Sequence, residues 1–207
     1  MVYSANENME DRLHSAGVKA LIFDNDINRC VLIQELLVNI GYSTVGCIGH
    51  ISQLSEQLNK RHFDILIVCQ VRVSSDFLEQ LKQTLAGCSL PVMMMSEDNS
   101  IEALSQAIGA GIHAYMVLGV QGNRIKFSVD TAFANFRVMQ SMQQQIAELQ
   151  NTLQNRIIIE KAKGVIMKNK QLSEGEAYVY LRNYSMGRGL KVVDVANMIN
   201  ATEELMN

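Results

Sequence analysis

Val18-Lys19-Ala20-Leu21-Ile22-Phe23 runs straight into Asp24-Asn25-Asp26. A short apolar run cut off by acidic, turn-forming residues reads as a buried strand. The pattern repeats outward from it. Leu32, Ile33, Leu36, Leu37 and Ile40 keep helical spacing up to Gly41, which serves as a C-terminal cap. Residues 42–46 form a second strand and 52–60 a polar helix. Asp64-Ile65-Leu66-Ile67-Val68-Cys69 is a third strand, followed by a helix over 74–86 and the strand Pro91-Val92-Met93-Met94-Met95. A helix over 100–108 stops at Gly109 and Gly111, and a fifth strand covers 113–118. Strands apolar on both faces, alternating with helices, predict an α/β domain over 17–122: a five-stranded parallel sheet covered on both sides. Ligand chemistry in such a sheet gathers beyond the strand C-termini. Those ends carry Asp24, Asp26, Cys69, Ser96 and Leu118.

Composition narrows the class. The chain has 207 residues, 48% hydrophobic and 19% charged, which excludes global disorder. No apolar run approaches the roughly 18 residues of a membrane-spanning helix. The polar, acidic lead over 1–16 has no apolar block before a cleavage site, so the expected compartment is the cytoplasm, with no membrane partner. Cys30, Cys47, Cys69 and Cys88 show no CxxC spacing and adjoin apolar stretches, which predicts reduced thiols acting as small hydrophobes. Charge is uneven. Over 156–191, eight basic side chains face three acidic ones, a net +5, while the remainder carries −8. A basic segment on an acidic body points to an anionic partner for that segment alone, or else to a solvated helical face.

From about residue 122 a helical pattern without Pro or Gly runs to Gly164. Met139, Met142, Ile146, Leu149 and Leu153 are spaced 3, 4, 3, 4, the a/d seam of a coiled coil among polar neighbours. A helix leaving a closed α/β domain needs something to cover that stripe. Residues 123–155 are therefore expected to form a homodimer through a coiled coil, the alternative being packing on the chain's own α/β body. Over 156–207 a compact three-helix bundle is expected. Ser173-Glu174-Gly175-Glu176 is a capping box, with Ala177, Tyr178, Tyr180, Leu181 and Tyr184 along the helix it opens. Gly187 and Gly189 break that helix, and Val192, Val193, Val195, Ala196 and Ile199 stripe a short last one.

Leu21-Ile22-Phe23-Asp24-Asn25-Asp26, the strand ending at Cys69, Pro91-Val92-Met93-Met94-Met95-Ser96 and IGAGIHAY over 108–115 resemble a response-regulator receiver domain, a flavodoxin-like fold. The resemblance implies carboxylates for Mg²⁺, an aspartyl phosphoryl acceptor, a hydroxyl and a lysine. Asp24 and Asp26 fall in the acidic cluster and Ser96 at the hydroxyl, but Cys69 stands at the acceptor and Leu118 at the lysine. A thiol forms no aspartyl phosphate and suits hard Mg²⁺ poorly. A pseudo-receiver with no cofactor or metal is expected. Cys69 as a redox sensor is a weaker alternative, since nothing nearby in sequence lowers its pKa.

Residues 156–199 resemble an ANTAR domain, the RNA-binding module of AmiR- and NasT-type antiterminators. The match runs through Ala162-Lys163-Gly164 with Met167, Leu172-Ser173, Glu176-Ala177-Tyr178, Leu181-Arg182, Met186 with Arg188, and Asp194-Val195-Ala196. Gly187, Gly189 and Leu190 depart from the polar or basic residues usual in that turn. AYMVLGV over 114–120, followed by Asp130-Thr131-Ala132-Phe133, is most similar to the nitrate-assimilation branch. The resemblance implies a dimer that binds paired stem-loops in a leader mRNA, prevents terminator formation, and answers to a small-molecule-sensing regulatory protein. RNA contacts are expected from Lys161, Ala162, Lys163, Gly164, Met167, Lys168, Arg182, Arg188 and Lys191: cations for phosphate, small residues for close approach. Ala162, Gly164 and Met167 read equally as helix packing. Among the tyrosines, Tyr178, Tyr180 and Tyr184 offer stacking surfaces, but their i, i+2, i+6 spacing does not share one face, and Tyr178 reads as core.

Two other functions stay open: a DNA-binding response regulator, for which the apolar last helix is a poor base reader, and a protein-interaction adaptor. An enzyme is not expected. There is no Gly-rich phosphate loop or nucleophile–base pair, and His14, His50, His62 and His113 are scattered.

Overall fold

The computed structural model describes residues 17–60, 63–119 and 123–206. The 1–16 lead, with His14, and His62 lie outside the described residues. The elements are β1 (Lys19–Phe23), α1 (Ile27–Asn39), β2 (Ser43–Ile48), α2 (Ser52–Lys60), β3 (Ile65–Gln70), α3 (Ser75–Thr84), β4 (Val92–Ser96), α4 (Ile101–Gly109), β5 (Ala114–Val117), α5 (Asn123–Lys170), α6 (Glu174–Arg188) and α7 (Val192–Met206). The chain divides into two compact units, up to Met139 and from Gln140 onward.

In the first unit the strands pair in the order β2-β1-β3-β4-β5, all parallel. Period-2 alternation splits each apolar run between two cores. Ala20, Ile22, Ile65, Ile67, Met93 and Met95 face one side, where Ile33 and Leu37 of α1 meet Val129 and Phe133 of α5. Leu21, Phe23, Leu66, Val68, Val92 and Met94 face the other, under Leu54 of α2, Leu78 and Leu81 of α3 and Ala107 of α4. This is the expected five-stranded α/β fold. The order reverses between β1 and β3, which brings their C-terminal ends side by side.

Four expectations need correction here. The start of α5 is no linker: Ile125, Val129, Ala132, Phe133 and Phe136 are buried, so the first turns complete the α/β core. On α1 the inward stripe is Cys30, Ile33 and Leu37, while Leu32 and Leu36 are exposed. Cys30 and Cys47 are joined as a disulfide with Cα atoms 6.3 Å apart, because β2 returns beside β1 and close to the helix between them. Only Cys69 is a buried free thiol; Cys88 is free but exposed.

The second unit closes around Ala162, Ile166, Ala177, Leu181, Val195 and Ala196, contributed by α5, α6 and α7. The capping box at the start of α6 is present in full, with Ser173 and Glu176 each satisfying the other's backbone N–H. Such a cap contributes about 1 kcal/mol. Gly187 does not break α6, since the helix continues to Arg188. Gly189 ends it alone, in the left-handed conformation at φ 65° that glycine adopts without strain. The last helix extends past Ile199 to Met206.

Candidate nucleic-acid interface

At the β1–β3 switch point the receiver-like residues are brought together, but not as a cation site. Asp24 is only 2% exposed. Its carboxylate takes Nε of Arg29 at 2.7 Å on one oxygen, and Nη2 of Arg29 at 2.7 Å with the Asp26 N–H at 2.8 Å on the other. Asp26 is engaged as the N-cap of α1, accepting from the N–H groups of Asn28 and Arg29. Ser96 is buried; its hydroxyl donates to Val71 O and accepts from Asp98 N–H. Leu118 packs against the adjoining core. Burial pushes the Cys69 thiol far up; the Asp24 carboxylate adds to this and the Arg29 guanidinium opposes it. The donors do not fit a divalent cation. The fork of Arg29 already occupies both carboxylate oxygens, and Cys69 supplies no hard ligand. Among the described residues no group of three or more His, Cys, Asp or Glu is placed to hold a metal.

The seam on α5 lies open. Met139 is 38% exposed, Leu149 64%, with Met142, Ile146 and Leu153 between, and every residue over 138–154 is exposed.

Further along α5 the expected RNA contacts part into two groups. Ala162 is fully buried in the three-helix core, and Met167 packs partly against it, so Ala162 has no surface to present. Lys163 is 7% exposed. Its ammonium donates to both oxygens of Glu160 at 2.9 and 2.8 Å and to Glu174 at 2.7 Å. These contacts raise its pKa, Glu160 foremost. Lys163 therefore ties α5 to the start of α6 and is not a cation offered outward. By contrast Lys161, Gly164 and Lys168 share one exposed stripe at i, i+3 and i+7. Lys168 reaches Glu203 of α7 at 3.3 Å. A Cβ on Gly164 would meet nothing within 4 Å, so packing within the chain does not require glycine there. Arg182, Arg188 and Lys191 are exposed.

On α6, Tyr178 is exposed, not core, while Tyr180 and Tyr184 stack on each other one turn apart. Lys170 lies over the Tyr180 ring and Arg188 over the Tyr184 ring; the sequence pointed to Arg188 as an RNA contact, but to neither ring contact and not to Lys170. Its signal was its place at the C-terminus of α5, one short turn ahead of α6.

Comparison with known proteins fits both units. Residues 147–199 match the family model of the ANTAR domain, beginning inside the seam so that Leu149 and Leu153 fall within it. PdtaR, a transcriptional regulatory protein of Mycobacterium tuberculosis, is 22% identical over 171 residues, covering 82% of this chain and 83% of that protein. ZraR, a transcriptional regulatory protein of Klebsiella oxytoca, is 28% identical over 126 residues, 60% of this chain. This chain spans only 28% of the length of ZraR. Two solved structures share the fold at a TM-score of 0.50. The signal receiver domain of a modulated diguanylate cyclase from Desulfovibrio desulfuricans is 18% identical, covering 58% of this chain and 97% of that one. The chemotaxis protein CheY4 of Vibrio cholerae is 17% identical, covering 56% and 99%. No helix among the described residues is long and apolar enough to cross a membrane. An α/β domain of the receiver fold, with the Arg29 fork closing its acidic site, is thus followed at residues 147–199 by a segment that matches the ANTAR domain model.

Proposed function

We propose that this chain is an RNA-binding transcription antitermination regulator. As a dimer it grips paired stem-loops of a nascent leader mRNA and holds the RNA in a form that excludes the terminator. The observation that carries the reading is the ANTAR match lying on the one basic segment of an acidic chain. Phosphate binding by Lys161, Lys168, Arg182, Arg188 and Lys191 releases counterions and makes affinity fall with salt. The exposed seam from Met139 to Leu153 supports a two-chain stalk, which presents two modules to two hairpins. The Arg29–Asp24 pairing, with Cys69 and Leu118 where an acceptor and a lysine belong, supports control by a small-molecule-sensing protein in place of phosphorylation. Similarity of 114–120 and 130–133 to the nitrate-assimilation branch makes nitrate and nitrite the first ligands to try. The protein acts as a regulator, without a reaction of its own.

Gly164 supplies the test. Glycine inside a helix costs about 1 kcal/mol relative to alanine, and no neighbour in the chain demands it. Close approach of RNA backbone does. Gly164→Ala is therefore expected to melt at a higher temperature yet bind a tandem-hairpin RNA on the order of tenfold more weakly. A variant that gains stability and keeps full affinity would remove this stripe from the RNA face.

A further inference from the structure

Along α6, Tyr180, Tyr184 and Arg188 recur at i, i+4 and i+8, so one helical face carries two phenol rings and a guanidinium in a row. The ring centroids are 6.5 Å apart and the planes 23° from parallel. The Lys170 ammonium lies over the Tyr180 ring at 4.8 Å, and the Arg188 guanidinium over the Tyr184 ring at 4.7 Å. Both rings remain open to solvent, Tyr180 at 38% and Tyr184 at 40%. They border a groove of about 350 Å³ shared by α5, α6 and α7, apolar at Ile166 and Val195 and polar at Asn169 and Thr202.

Packing does not account for this row. The bundle core closes through small and aliphatic residues without either tyrosine. Two parallel rings left in water, each with a cation on it, instead match a ligand that is flat and negatively charged together. An unpaired nucleotide is such a ligand: its base stacks on aromatic faces and its phosphate meets the cations. A duplex is not, because its bases already stack on one another. An acidic protein partner would use the cations but gain little from the ring faces.

We propose that Tyr180 and Tyr184, with Lys170 and Arg188, form a stacking platform for unpaired loop bases of RNA. The inference rests on the RNA-binding reading above and names the side chains that take the bases. Tandem-hairpin RNA selected on the wild-type full chain, from a pool with randomised loops, is the probe. It carries 2-aminopurine at one loop position at a time, whose fluorescence falls on stacking. Tyr180→Leu and Tyr184→Leu keep apolar bulk but lose the ring. Each weakens binding on the order of tenfold or more, abolishes the quenching at one loop position, and leaves the salt dependence unchanged, since no phosphate contact is lost. Tyr180→Phe and Tyr184→Phe restore both. Melting curves confirm that the variants keep the helical bundle. Leucine variants that bind and quench like wild type overturn the platform while leaving RNA binding intact. So do variants whose loss follows the salt slope and is not restored by phenylalanine. If the wild-type chain selects no RNA at all, the RNA-binding reading fails and the platform falls with it.

Discussion

A chain carrying both Ile146→Asp and Leu149→Asp is expected to sediment as a monomer. Both side chains are solvent-exposed in the single chain, so the change disturbs no intramolecular packing. In a paired stalk they would meet their counterparts across the seam, where four aspartates in apolar surroundings repel and lose hydration. The effect on RNA follows from linkage. Two joined modules raise avidity by about 10²–10⁴ over one. Binding to a tandem hairpin should therefore fall on the order of a hundredfold, while binding to a single hairpin stays near its former value. Analytical sedimentation and binding to the two RNAs read both quantities. A double variant still dimeric would put the interface elsewhere.

Asp24→Asn is expected to do more to the first unit than any loss at its surface. Asp24 is buried and holds both arms of Arg29. Neutralising it strands the guanidinium, which costs about 3 kcal/mol, the lower end of the range for breaking a buried pair, because Arg29 still reaches solvent on one side. The neighbouring thiol responds as well. Burial holds the Cys69 pKa up, the Asp24 charge raises it further, and Arg29 pulls it down. Removing the negative charge leaves the positive one, so the pKa moves down, while burial, the largest cause, still holds the thiol protonated. Asp24→Asn should melt lower, read by thermal unfolding of the full chain. Unchanged melting would contradict the account of this site.

Much of this was legible before the structure. β1, β3 and β4 announced themselves because a run apolar on both faces has no place except inside a covered sheet. The capping box at Ser173 and Glu176 was readable because both partners lie within one turn. What escaped depends on contacts between distant elements. The long pattern of α5 hides the point where its apolar stripe changes partner. Ile125, Val129, Ala132 and Phe133 belong to the sheet, Met139 to Leu153 lie exposed, and Ala162 and Ile166 belong to the three-helix core. The Cys30–Cys47 bond needs β2 to return beside β1, which no spacing rule encodes. Lys163 looked like a phosphate ligand because a lysine in sequence shows its charge and not its neighbours. Glu160, at i−3, was a warning within reach, but Glu174 is brought in only by the packing of α6. Tyr180 and Tyr184 were visible as an i, i+4 pair, yet their exposure is set by a core that closes without them.

The central claim is that the basic ANTAR segment, held in pairs by the α5 seam, recognises folded RNA. Competition at one fixed, low salt concentration between a tandem-hairpin transcript and a DNA duplex of the same sequence tests it most directly. Displacement of bound transcript only by RNA hairpins, with duplex DNA ineffective at a hundredfold excess, is the result predicted here. Equal displacement by both, or no retention of any transcript, would contradict it.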